Sequence, residues 1–142
     1  MENADQLVLG KLVEWVESSK KSWLCTVVQT WGSSPRPIGS LLSCNIDGEI
    51  AGSLSGGCVE DDLIEKLRSG EIAKDKPEVM IYGETQEESD RFGLPCGGQL
   101  HIVIEPIAAD TSTSDFQTII GHLNERKCIE RTLDIASGTF EV

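Results

Sequence analysis

Apolar residues recur along the chain with two spacings, and together these predict a mixture of helices and strands. Spacings of three to four residues predict amphipathic helices over 6–20, 58–69 and 114–126. Shorter segments rich in β-branched and aromatic residues predict strands over 22–30, 40–46, 49–54, 78–82, 99–105, 129–135 and 139–142. Strands outnumber helices, and several neighbours are close enough to form hairpins. The pattern therefore predicts an α+β fold, with a single mixed β-sheet domain and about three flanking helices.

The length of the chain fits one domain. Its 142 residues lie in the usual range of a single domain, which buries roughly two-thirds of its unfolded surface. No internal repeat or low-complexity segment divides the sequence, so residues 1–142 are predicted to form one domain. The last predicted strand runs to the final residue. This indicates either an edge strand or, as we favour, a chain cut from a longer protein.

Charge and hydropathy narrow the classes of partner. The sequence holds 12 Lys and Arg against 24 Asp and Glu, a formal net charge of −12, without a run of basic residues. Nucleic-acid-binding proteins normally present a basic face, so nucleic acid is not an expected partner. Without a long apolar run or a signal peptide, the sequence predicts a cytoplasmic protein that makes no membrane contact. An anionic small ligand stays open, because local donors act within a screening length of about 8–10 Å.

The cysteines do not form a recognisable metal or disulfide pattern. The five of them are widely spaced, and the sequence contains no C-x-x-C and two histidines. Structural zinc sites usually show close ligand pairs, so we predict no metal site and expect reduced thiols. Cys25, Cys44 and Cys128 are predicted to lie in the core or outside the site.

Three glycine-rich segments, 30–36, 53–60 and 92–98, are the candidate functional elements. Glycine permits a positive φ and close approach of the backbone to a ligand, and consecutive amides in such turns bind anions. If the segments converge, they form a pocket lined by amides, hydroxyls, one guanidinium and two thiols. The candidate binding residues are Gly32, Ser33, Ser34, Arg36, Ser55, Gly56, Gly57, Cys58, Cys96, Gly97 and Gly98.

Some of these side chains also have a purely structural interpretation. Cys58 is close to a predicted helix N-terminus, where the dipole favours a reactive thiolate, but acidic residues follow it directly and oppose that effect. The alternative is a small buried side chain. Arg36 suits a phosphate or an internal ion pair with one of the many acidic residues. Cys96 is either a thiol that faces a pocket or a turn residue packed under the sheet.

Taken together and in order, the motifs resemble a known family. They are Gly32-Ser33-Ser34-Pro35-Arg36, Ser55-Gly56-Gly57-Cys58-Val59-Glu60, Gly93-Leu94-Pro95-Cys96-Gly97-Gly98 and Glu105-Pro106. This arrangement resembles the N-terminal domain of the xanthine dehydrogenase accessory protein (XdhC/CoxI) family over residues 7–107. The second, Rossmann-like domain that usually follows in that family has no counterpart in this sequence, which contains no G-x-G-x-x-G.

The resemblance implies a molybdenum cofactor chaperone that assists sulfuration of the cofactor and its insertion into xanthine dehydrogenase-type enzymes. It implies molybdopterin as the cofactor, with a molybdoenzyme and a cysteine desulfurase as partners. From the residue types, we assign the amides and Arg36 to the phosphate and the thiols of Cys58 and Cys96 to the metal–sulfur end. We also expect a homodimer, because small sites built from loops are often completed at a symmetry axis.

Two other functions remain open at this point. In the first, Cys58 or Cys96 is a catalytic nucleophile that relays sulfur or redox equivalents. The absence of a C-x-x-C and of a base nearby in the sequence makes this the weaker hypothesis. In the second, the chain is an interaction domain that binds a partner oxidoreductase and leaves the glycine-rich segments without a ligand.

Overall fold

A computed structural model describes most of the chain, including three helices and seven strands. The described residues are 4–31, 39–53, 59–73, 76–83, 87, 99–108, 114–124, 132–133 and 140–141. The helices are α1 Ala4–Glu17, α2 Glu60–Ser69 and α3 Ser114–Asn124. The strands are β1 Ser22–Trp31, β2 Leu41–Asn45, β3 Ile50–Gly52, β4 Glu78–Tyr82, β5 Gln99–Ile107, β6 Thr132–Leu133 and β7 Phe140–Glu141.

Five strands form one sheet in the order β3-β2-β1-β5-β4, while β6 and β7 pair separately. The predicted α+β class is confirmed. The expected mixed sheet is antiparallel at every pairing between the described strands. The reason is topological: β1 lies between its hairpin partner β2 and the distant β5, and the two edge strands β3 and β4 are joined through α2.

The boundaries of the elements differ from the predicted ones where hydrogen bonds decide them. Helix α1 ends at Glu17 rather than at residue 20, because a turn follows in which Ser19 has a φ of 62° and the Lys20 N–H donates to the Trp15 carbonyl at 2.9 Å. Strand β5 extends past residue 105 because Ile107 still pairs with Ser22. The spacing of apolar residues does not predict these local interactions.

The sheet buries one hydrophobic cluster on each face. On one face, α2 packs Val59, Leu63 and Leu67 against side chains from β1, β2, β4 and β5, among them Trp23 and Tyr82. The other face carries α1 and α3, and the buried residues there are Val8, Leu9, Leu12, Val16, Leu24, Ile107, Phe116 and Ile119. Burial of apolar surface on both faces is the main stabilising term for such a layered fold.

The β2–β3 turn defines one end of the sheet, which we call the hairpin end. The side chain of Asn45 accepts hydrogen bonds from the backbone N–H groups of Asp47 and Glu49, both at 3.0 Å. Lys20 adds ion pairs to Asp47 at 2.9 Å and to Glu49 at 3.2 Å. Arg68, near the C-terminus of α2, donates to the Ile46 carbonyl at 2.9 Å. Polar contacts therefore hold the turn to the start of β1 and to the end of α2.

Gly52, the last residue of β3, occupies a position that only glycine fits. Its φ is +87°, and a Cβ there would press against the Leu41 carbonyl and the Val8 side chain more closely than real Cβ atoms approach. Both the backbone conformation and the packing of α1 on the sheet require a residue without a side chain at this position. Close contact between α1 and β3 therefore depends on this glycine.

The substitution Gly52→Ala is expected to lower the free energy of unfolding by about 2 kcal/mol or more, because it adds positive-φ strain to a steric clash. The matched control is Gly10→Ala in α1, where a Cβ meets nothing within 4 Å. That change should stabilise the protein by about 0.5–1 kcal/mol through helix propensity. Urea unfolding of both variants measures the difference. A Gly52→Ala protein as stable as the wild type would contradict this interpretation.

Candidate functional site

The strand directions place the bases of the glycine-rich segments at one end of the sheet. Because all pairings within the sheet are antiparallel, β1, β3 and β4 run towards the same end, and β2 and β5 begin there. We call this the loop end, opposite the hairpin end. The first segment, 30–36, begins at the end of β1, the second, 53–60, lies between β3 and α2, and the third, 92–98, precedes β5. All three segments are therefore anchored at the loop end.

Pairing registers show how close these anchors are. Trp31, where the first segment begins, pairs directly with Gln99, where the third ends. The N–H of Gly39 donates to the Val27 carbonyl at 2.7 Å, which returns the first segment to the sheet beside β1. Gly52 pairs with Leu42, Leu42 with Cys25 and Cys25 with Ile104, so the end of β3 is level with Ile104, five residues along β5 from Gln99. With strands about 4.8 Å apart and about 3.3 Å per residue, Gly52 is about 22 Å from the start of β5 and lies farther from the other two anchors than they lie from each other.

The predicted site residues themselves lie outside the described residues. They are Gly32, Ser33, Ser34, Arg36, Ser55, Gly56, Gly57, Cys58, Cys96, Gly97 and Gly98. Their convergence into one pocket therefore stays a prediction. The structure instead describes the strand ends and the helix that flank them.

Ser53 and Glu60 face each other across the ends of segment 54–58. The Ser53 hydroxyl donates to Oε2 of Glu60 at 3.5 Å, and Glu60 is only 6% exposed. A buried carboxyl group requires polar partners, since leaving one unsatisfied is costly. The contact joins the end of β3 to the first turn of α2. Nothing in the sequence pattern indicates that Glu60 is buried, because it lies among acidic residues typical of an exposed helix start.

A second polar contact at the loop end joins α2 to β4. The Tyr82 hydroxyl donates to Oδ2 of Asp62 at 2.8 Å, and Lys66 Nζ lies 3.1 Å from the same oxygen. Lys66 also lies 5.8 Å from the centre of the Tyr82 ring. The i, i+4 spacing of Asp62 and Lys66 is readable in the sequence, but the contact with Tyr82, 20 residues from Asp62, is not.

The first turn of α2 has an acidic character. It contains Glu60, Asp61 and Asp62, and the N-cap residue Val59 provides no side-chain cap. Negative side chains suit the positive end of the helix dipole. They also make this helix start less favourable for a phosphate or a thiolate, since like charges repel.

Cys25 and Cys44 are both fully buried, which confirms their predicted place in the core. They are diagonal neighbours on β1 and β2, since Cys25 pairs with Leu42 and Cys44 pairs with Trp23. Two causes raise the pKa of the Cys25 thiol well above its ordinary value: the larger is the hydrogen bond with Cys44, and the second is burial. Cys58, Cys96 and Cys128 lie outside the described residues.

At neutral pH Cys25 and Cys44 are expected to resist alkylation in the folded protein, because the raised pKa of Cys25 disfavours its thiolate and both thiols are inaccessible. Iodoacetamide labelling followed by peptide mass spectrometry, with and without urea, measures this. Modification of either residue should require urea. Labelling of Cys25 in folded protein at the rate of a free thiol would contradict the described packing.

Neither a metal cluster nor a membrane span occurs in the described part of the chain. Among these residues, no group of three or more His, Cys, Asp or Glu side chains is arranged to hold a metal ion. No helix among them is both long and apolar enough to cross a membrane.

Comparison with known proteins identifies the family. Residues 15–83 match the model of the XdhC and CoxI family, and the chain belongs to this family. The chain is 30% identical over 124 residues to the molybdenum cofactor insertion chaperone PaoD of Escherichia coli (strain K12). The aligned region covers 84% of this chain and 36% of that protein. It is 25% identical over 128 residues to a protein of Bacillus subtilis (strain 168) named as a probable subunit of xanthine dehydrogenase, covering 88% and 38% respectively.

A solved structure shares the fold. The crystal structure of a xanthine dehydrogenase from Bacillus halodurans matches with a TM-score of 0.64 at 24% identity, covering 87% of this chain and 36% of that one. This likeness supports the architecture alone. The chain spans a little more than a third of the length of each of these three proteins.

Proposed function

We propose that this chain binds molybdenum cofactor and acts as an accessory chaperone in the maturation of a xanthine dehydrogenase-type enzyme, assisting sulfuration and insertion of the cofactor. Family membership supports this proposal, as does the similarity to a protein named as a molybdenum cofactor insertion chaperone. A cysteine desulfurase as sulfur source, a homodimeric assembly and a cytoplasmic location belong to the same proposal.

The observation that carries the proposal is the shared anchoring of three glycine-rich segments at the loop end. Segments 30–36 and 92–98 are based on β1 and β5, which pair side by side, and segment 53–60 starts from the end of β3. The donor types in these segments suit a phosphorylated pterin dithiolene. Backbone amides and Arg36 would hold the phosphate, and the thiols of Cys58 and Cys96 would lie towards the soft metal–sulfur end.

The thiol-relay alternative has less support in the described residues. The first turn of α2, which begins two residues after Cys58, carries three acidic side chains. Their charge opposes formation of a thiolate nearby. A carrier does not need a thiolate at rest, because a metal ion can displace the thiol proton when it binds. The acidic turn therefore favours a carrier over a nucleophilic enzyme.

Retention of the cofactor tests the proposal directly. Under anaerobic conditions the purified chain is mixed with molybdenum cofactor released from a molybdoenzyme and then passed through a gel-filtration column. Stoichiometric molybdenum is expected in the protein fraction. Cys58→Ser and Cys96→Ser should each reduce the retained molybdenum, and Cys128→Ser, which changes a thiol predicted to lie outside the site, should not. Absence of molybdenum from the wild-type fraction would overturn the proposal.

Arg36→Met should weaken cofactor binding roughly tenfold or more, because a charge-assisted hydrogen bond is worth about 1.5–3 kcal/mol. The matched control is Arg68→Met, which removes a guanidinium at the hairpin end. Titration of each variant with cofactor gives the dissociation constants. Equal affinity of the Arg36→Met and Arg68→Met proteins would contradict the assignment of Arg36 to the phosphate.

A further inference from the structure

We propose that Tyr82, Asp62 and Lys66 form a brace that positions the cofactor site by fixing the start of α2 against the end of β4. The inference rests on the proposed cofactor-binding function and extends it to residues outside the glycine-rich segments. These three are positioning residues, because they act through the elements that carry the loops.

The brace lies at the loop end, where β4 ends and α2 begins. Tyr82 is the last residue of β4 and pairs with Leu100, two residues after the glycine-rich segment 92–98 ends. Asp62 is in the first turn of α2, which segment 54–58 precedes. The 2.8 Å hydrogen bond between Tyr82 and Asp62 therefore joins the bases of two of the three predicted site segments.

Helix α2 connects the two edge strands of the sheet. From β3 at one edge of the sheet, α2 crosses the face and leads to β4 at the opposite edge. It packs on the sheet through Val59, Leu63 and Leu67, and polar contacts hold it at two other points, Glu60 to Ser53 after β3 and Arg68 to Ile46 at the hairpin end. Apolar packing is not directional, so it specifies the position of the helix along its axis less sharply than a hydrogen bond does. The brace supplies a directional contact between α2 and β4 at the loop end.

Burial and charge make the brace specific. Tyr82 is fully buried, so its hydroxyl depends on a polar partner within the protein. Asp62 provides it, and Lys66 balances the negative charge of Asp62 at 3.1 Å while lying over the Tyr82 ring. A shift of α2 along or around its axis would break both contacts with Tyr82, whereas the ion pair of Asp62 with Lys66 lies within the helix and moves with it. The start of α2 therefore has one preferred position relative to β4.

Comparable polar contacts elsewhere provide matched controls. Ser43, fully buried within β2, donates its hydroxyl to the Val8 carbonyl at 2.8 Å, a single bond that joins the sheet to α1. Lys20 forms its ion pairs at the hairpin end. Removing these groups changes stability in a similar way, and neither contact involves α2 or β4.

The test compares Tyr82→Phe and Lys66→Met with Ser43→Ala and Lys20→Met. Each protein is titrated with anaerobic molybdenum cofactor, and its stability is measured by urea unfolding. Tyr82→Phe should bind about tenfold more weakly, as expected for loss of a supporting hydrogen bond behind a site, and Lys66→Met should weaken binding in the same direction. Ser43→Ala and Lys20→Met should bind like the wild type, even where their loss of stability equals that of the brace variants.

Hydrogen exchange of the ligand-free proteins separates failure of the brace from failure of the function. Tyr82→Phe should speed exchange in peptides covering 54–60 and 84–98, whereas Ser43→Ala should leave these peptides unchanged. If the wild type binds no cofactor but exchange behaves this way, the brace stands and the proposed function fails. If the wild type binds cofactor but Tyr82→Phe matches Ser43→Ala in affinity and in exchange, the brace is overturned.

Discussion

The antiparallel pairing of β1 with β5 is the interaction on which the rest of the structure depends. It runs from Ser22 opposite Ile107 to Trp31 opposite Gln99 and joins segments far apart in the sequence at the centre of the sheet. Because β2 pairs with the outer side of β1 and β4 with the outer side of β5, this one contact joins the two halves of the sheet. The same pairing also brings the bases of two glycine-rich segments side by side.

Much of the local structure could be predicted from the sequence, and the reasons are physical. Strand β4 occupies the predicted residues 78–82 because its short apolar run is bounded by turn residues, and α2 ends at Gly70, whose φ of 79° provides the left-handed cap. The order and direction of the strands could not be predicted, because apolar periodicity shows which residues face the core but not which strand lies beside them. The mixed sheet was therefore the wrong expectation.

The site could be predicted only in part from the sequence, again because a sequence pattern does not show which residues lie beside one another. Glycine content and chemically active side chains mark segments 30–36, 53–60 and 92–98, but nothing in the sequence pattern marks the buried polar groups within or next to them. Glu60 and Asp62 belong to an acidic helix start that looks exposed, yet Glu60 contacts Ser53 and Asp62 contacts Tyr82 and Lys66. These contacts offset part of the acidic character of the turn. An anionic guest near the loop end is therefore compatible with a chain of net charge −12.

The central claim is that one guest binds where three glycine-rich segments leave the same end of the sheet. A crystal structure of the chain with bound cofactor, with the molybdenum located by its anomalous scattering, tests this most directly. The account predicts a molybdenum atom at the loop end, near the thiols of Cys58 and Cys96, with the phosphate beside Arg36. A molybdenum atom at the hairpin end or beside the β6–β7 pair would contradict it.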